Sequence, residues 1–134
     1  MLALALTYAC TLLLFVAIDL TWLTLMGPKL YRPALGELLR PDVNLKAAIA
    51  FYLIYPLGLL IFAVSPALKS ADPRIALTMG ALFGFFCYAT YDLTNQATLR
   101  NWTTTITLVD IAWGTFVSGV AAFGAAWIGA KIVH

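Results

Sequence analysis

The chain has 134 residues, 63% of them hydrophobic and only 10% charged, where a soluble domain is about half apolar and about a quarter charged. A water-soluble fold this short has too little core to hide so much apolar surface, so lipid must cover the remainder. Eight Lys and Arg against six Asp and Glu leave a net charge of +2, scattered along the chain, so the basic face that nucleic acid requires is missing.

A helix needs about 20 largely apolar residues to cross about 30 Å of hydrocarbon, and four stretches meet that demand. The first, Leu2 to Met26, is broken only by Asp19 and is followed by Gly27-Pro28, where the helix is expected to stop. No Lys or Arg precedes it and it is too long for a signal peptide, so it is expected to be retained. Residues 27–44 carry Pro28, Pro33 and Pro41, with Tyr31, Leu35, Leu38 and Leu39 among Lys29, Arg32, Glu37 and Arg40. That mixture predicts a short interfacial helix at the membrane surface, covering the mouth of the bundle.

The second span, about 45–64, ends at Ser65-Pro66 and holds Tyr52, Tyr55 and Pro56. Pro56 cannot donate to the Tyr52 carbonyl and collides with it, which predicts a kink and a carbonyl in need of another partner. The third span, about 75–95, contains Asp92 and a Gly80, Gly84 pair; the fourth, about 105–132, contains Asp110. Short connections around 69–74 and Arg100 favour antiparallel neighbours. The expected architecture is all-α, a single four-span domain over 1–134 forming an integral membrane four-helix up-and-down bundle. Lys29, Arg32, Arg40, Lys46 and Arg100 fall on one side and Lys69, Arg74 and Lys131 on the other, which favours a cytoplasmic first connection and both termini outside.

A charged residue inside a spanning helix costs about 2.5–3.5 kcal/mol on insertion scales, and such residues usually face the bundle interior or a wet cavity. Here there are three: Asp19, Asp92 and Asp110. Connectivity brings the end of span one, the end of span three and the start of span four to one membrane face, so the three are expected together. Three carboxylates in one low-dielectric region cannot all stay ionised without a proton or a cation to compensate, and Arg100, Lys29 and Arg32 are the cations on that side. Residues three and four apart share a helix face, which gives Asp19 the companion Trp22, Asp92 the companions Tyr88, Asn95 and Gln96, and Asp110 the companions Trp113 and Gly114. Caps at helix ends, or pairing with Arg at the headgroups, would be a purely structural use of the same acids.

From Asp110, steps of four give Gly114, Ser118, Ala122, Ala126 and Ala130, a ridge of small residues suited to close helix packing. Gly80 and Gly84 are expected to meet this ridge or a second copy of the chain. Trp102 and Tyr31 read as members of the interfacial aromatic belt.

Other chemistries find little support. Cys10 and Cys87 lie inside apolar runs and read as small core residues. The single histidine is His134 at the terminus, so no zinc site is expected, and a hard cation held by the three Asp has no spacing motif behind it. No serine has a histidine within a triad and no phosphate-binding loop is present. No cofactor is expected.

Asp19-Leu20-Thr21-Trp22 with Gly27-Pro28, Tyr91-Asp92-Leu93-Thr94-Asn95 with Thr98-Leu99-Arg100-Asn101-Trp102, and Asp110 with Trp113-Gly114 together resemble DUF2177, a family of small bacterial predicted membrane proteins. The resemblance covers nearly the whole chain. It implies a four-span inner-membrane protein and brings no activity or catalytic residue with it.

From the residues themselves the leading expectation is a polar pocket that binds or transforms a small amphiphile such as a lipid or isoprenoid. Asp19, Asp92 and Asp110 are its candidate acid–base groups, and Trp22, Tyr88, Asn95, Gln96, Arg100 and Trp113 its candidate ligand contacts. A proton-coupled transporter working as a homodimer and a non-catalytic subunit of a membrane complex are the alternatives.

Overall fold

The computed structural model describes residues 1–133, and all of their regular structure is helical. The first helix, α1 (Leu2–Met26), does not stop at Gly27-Pro28. A π turn (Gly27–Tyr31) carries the chain on into α2 (Arg32–Leu35) and a 3-10 turn (Gly36–Leu38). The proline ring would crowd a regular α turn and cannot donate to it; the wider π register absorbs it, with Arg32 N donating to the Gly27 carbonyl. The short piece expected after span one therefore exists, but as a continuation of α1. It turns out of the helix at Gly36, whose φ of +50° lies in the region that glycine tolerates best.

The second span is built from α3 (Leu45–Leu59), a π turn (Leu60–Val64) and α4 (Ser65–Lys69). Asn44 caps α3, its side-chain oxygen accepting from Ala47 N at 3.2 Å. Pro56 sits inside α3 and the helical register is disturbed just beyond it, where Ser65 N reaches back to the Leu60 carbonyl. The Tyr8 hydroxyl donates to the carbonyl of Leu53 at 2.7 Å, one residue along from the Tyr52 carbonyl that the sequence marks as needing a partner.

A tight connection through Ala71, at φ +53°, leads to α5 (Pro73–Thr98). Asp72 caps this helix: Oδ1 accepts from Arg74 N at 3.0 Å, and the Arg74 guanidinium donates to both carboxyl oxygens at 3.0 and 3.1 Å. These bonds hold the Asp72 carboxyl below the usual carboxylate range. A second short connection, with Asn101 at φ +63°, leads to α6 (Thr104–Val133).

The helices pack antiparallel in sequence order. Along α5, Gly80, Gly84 and Tyr88 meet Ala122, Ser118 and Gly114 of α6 in turn. Along α1, Thr7, Leu14 and Asp19 meet Gly129, Gly124 and Trp113. The central helix is α6, with Val117, Ser118, Ala121, Ala122 and Ala125 fully buried. Gly80 and Gly84 are thus spent on α6 and present no face to a second copy.

The outer surface is apolar. Ile54 is 67% exposed, Phe86 63%, Leu108 63% and Phe116 58%, and four helical stretches (2–38, 45–69, 73–98 and 104–132) are long and apolar enough to cross a membrane. Together with composition this makes the chain a four-span, all-helical membrane protein, because water would not tolerate so continuous an apolar exterior.

The α5–α6 seam is close at Gly84, where an added Cβ would collide with the Gly114 carbonyl and stand 2.5 Å from Ser118 Oγ. Gly84→Ala is expected to destabilise the bundle by about 1–3 kcal/mol. Gly27→Ala, where a Cβ meets nothing within 4 Å, is expected to be neutral or mildly stabilising. Reversible unfolding in mixed micelles measures both.

Candidate functional site

Polar groups concentrate where the C-terminal half of α1, the start of α3, the C-terminal half of α5 and the start of α6 converge. Asp19, 5% exposed, accepts from the Tyr52 hydroxyl at 2.6 Å and from Trp113 Nε1 at 2.9 Å. Asp110 accepts from the Tyr31 hydroxyl at 2.7 Å, and that hydroxyl in turn accepts from Trp22 Nε1 at 3.0 Å. The indoles of Trp22 and Trp113 stack with centroids 4.3 Å apart and planes 7° from parallel. One network therefore joins α1, the π turn, α3 and α6, and each acid in it receives strong, directional donors.

Two further tyrosines, Tyr55 from α3 and Tyr88 from α5, pack on the small-residue ridge of α6. The Tyr55 hydroxyl lies 2.6 Å from Ser118 Oγ, a residue of the small ridge. Tyr88 lies flat over Gly114, where any side chain would strike its ring.

Asp92 is different. It is fully buried, and no hydroxyl, amide or cation donates to either carboxyl oxygen. The group it faces across the α5–α6 seam is the Asp110 carboxyl. Its backbone carbonyl receives a long 3.5 Å bond from Thr107 Oγ1, which also accepts from Trp102 Nε1 at 3.0 Å. No Lys or Arg neutralises any of the three acids, because among the described residues the one ion pair is Asp72 with Arg74. Nor do three acidic, cysteine or histidine side chains among the described residues converge to hold a metal ion; His134 lies outside the described residues.

Beside the network is a cavity of about 810 Å³. Asp19, Trp22, Tyr88, Asp110 and Trp113 all line it, as do Tyr31, Phe51, Tyr55, Tyr91 and Trp102. Leu35 and Leu39, from the segment that follows α1, close one side of it, and Arg32 is the one cation in its wall. Leu23 of α1 and Phe51 of α3, 41% and 39% exposed, reach from its wall to the apolar exterior.

Of the nine residues that the sequence singles out, five line the cavity. Asp92 stands behind Asp110, outside the wall. Asn95, Gln96 and Arg100 also lie away from it: the Gln96 amide donates to Thr104 Oγ1 at 2.9 Å, and Arg100 is exposed in the connection. Tyr52 and Tyr31 are the donors that sequence reading missed. Tyr31, read from the sequence as a belt residue, is a direct partner of Asp110. No periodicity announces it, since nine residues on an unbroken α-helix would put it on the opposite side from Trp22; the π turn between them brings it within reach. Trp102, also assigned to the belt, has its ring in the cavity wall.

A family model, DUF2177, described as a predicted membrane protein, matches residues 4–127. The chain belongs to this family. In the DUF2177 chain every acid and aromatic residue of the site falls inside the matched segment. No curated protein and no solved structure matches it.

Burying the Asp92 carboxyl against the Asp110 carboxyl, with no other donor to either Asp92 oxygen, disfavours the folded state. Asp92→Ala is expected to raise stability by about 1–2 kcal/mol, the small void offsetting part of the gain. Unfolding in mixed micelles decides it, and a loss of stability would assign Asp92 a structural role.

Proposed function

We propose that this protein binds a small amphiphile in the cavity beside Asp19 and Asp110, with the polar end at the acids and the tail leaving toward lipid past Leu23 and Phe51. The observation that carries the reading is the wall itself: two anchored carboxyls converge on a space otherwise bounded by aromatic and aliphatic side chains. Ligand sites typically occupy about 300–1,000 Å³ and combine an apolar lining with a few fixed polar groups, and the cavity volume of about 810 Å³ falls in that range. The donors on Asp19 and Asp110 fix where their oxygens stand, so a polar group entering the cavity meets a prearranged partner. The host membrane in this reading is a bacterial inner membrane, with the cavity on the cytoplasmic side that the Lys and Arg balance favours.

Ala48 lines the cavity from α3, so a bulky substitution there fills the space without touching the network. Native mass spectrometry of protein extracted in mild detergent is expected to show a retained amphiphile in the wild type and its loss in Ala48→Trp, with thermal stability unchanged within a few degrees. Equal retention by both proteins, or none in the wild type, would refute the reading.

A further inference from the structure

We infer that the polar end taken by this cavity is an alkylammonium group, held by Asp110 and Asp19 against the surrounding ring faces. The inference rests on the amphiphile reading and adds the charge of the guest to it.

The first support is the local charge inventory. Three carboxyl groups lie within one end of the bundle, and no Lys or Arg pairs with any of them among the described residues. Acids at membrane depth ordinarily face a compensating partner. Asp19 and Asp110 are instead served by neutral donors, Tyr52 and Trp113 for one and Tyr31 for the other. Neutral donors orient a carboxylate without cancelling its charge. Asp92, fully buried, stands behind Asp110 outside the cavity wall and sets a further acid, not a cation, against it.

The second support is the aromatic wall. Trp22, Trp113, Tyr88, Tyr91 and Trp102 line the same cavity as the two acids. Ring faces attract organic cations, and cages of such rings are a recurring way to hold ammonium groups. A phosphate or sulfate head would face Asp19 and Asp110 across a space of low polarity. A bare metal ion would find no group of three ligands among the described residues. An ammonium satisfies both acids and rings.

Two sources share this chemistry: a singly charged cationic amphiphile, and a zwitterionic lipid whose phosphate would meet Arg32, the exposed cation of the wall. Both are separated by one experiment. The protein in lipid nanodiscs is titrated, below micellar concentrations, with dodecyltrimethylammonium, dodecylphosphocholine and dodecyl maltoside, which share one tail, and quenching of tryptophan fluorescence is followed.

At least one ammonium compound is expected to bind about tenfold or more tightly than the maltoside. Asp110→Asn is expected to erase that preference, bringing the ammonium and maltoside affinities to within about twofold of each other. Asp19→Asn serves the same purpose should the first variant not fold, because the preference is a ratio measured within one protein. A phosphocholine preference lost in Arg32→Gln identifies a zwitterionic lipid, and a trimethylammonium preference indifferent to Arg32→Gln identifies a cationic amphiphile. Equal affinity for all three heads would overturn the ammonium assignment and leave the amphiphile reading standing, whereas binding of none would overturn both.

Discussion

The stack of Trp22 on Trp113 is the contact on which this end of the molecule depends. Each indole presents its ring face to the other and its N–H to a hydrogen-bond partner: Trp113 donates to Asp19, and Trp22 donates to the tyrosine that serves Asp110. The pairing is crossed between helices. The indole of α6 holds the acid of α1, while the indole of α1 secures, through Tyr31, the acid of α6. Displacing either helix along its axis would break several bonds at once. These donors offset part of the cost of placing the Asp19 and Asp110 carboxyls inside a bundle in lipid.

The small-residue seam between α5 and α6 sets the size of the space beside that stack. With Gly84 against Gly114 and Ser118, the two helix backbones come so near that no room for ligand remains between them. Further along the same seam Tyr88 lies across Gly114, and from α3 Tyr55 reaches Ser118. The cavity lies beside this seam, lined from α1, α3, α5 and α6. Packing in the deep half of the bundle and the cavity in the other half are consequences of one distribution of glycine, alanine and aromatic residues along α6.

Much of this was legible in the sequence because it depends on hydropathy and on helical spacing. Four apolar stretches of spanning length gave the architecture, connectivity alone predicted that the three acids meet, and the step-of-four ridge from Asp110 anticipated the seam. Trp22 and Trp113 were visible as companions of acids at three residues' distance. Tyr31 and Tyr52 were not, for different reasons. Tyr52 carries no signal in its own helix, since its partner Asp19 is on another one. Tyr31 was hidden by register: Gly27-Pro28 reads as a stop, whereas the chain widens through it and stays helical. Arg100 was misjudged because a cation near an acid in sequence suggests a pair, while in space its side chain has water or headgroups as the easier alternative.

That widened turn has a consequence for how the segment tolerates change. A π turn is an α-helix carrying one surplus residue, and the surplus here supplies the rotation that aims the Tyr31 hydroxyl at Asp110. What is constrained between Met26 and Arg32 is therefore chain length more than chemical identity. Removing a single residue from this stretch would restore ordinary winding, swing the tyrosine off its acid, and carry Arg32, Leu35 and Leu39 away from the cavity with it, whereas many side-chain exchanges at the lipid-facing positions of the same turn would leave the arrangement intact.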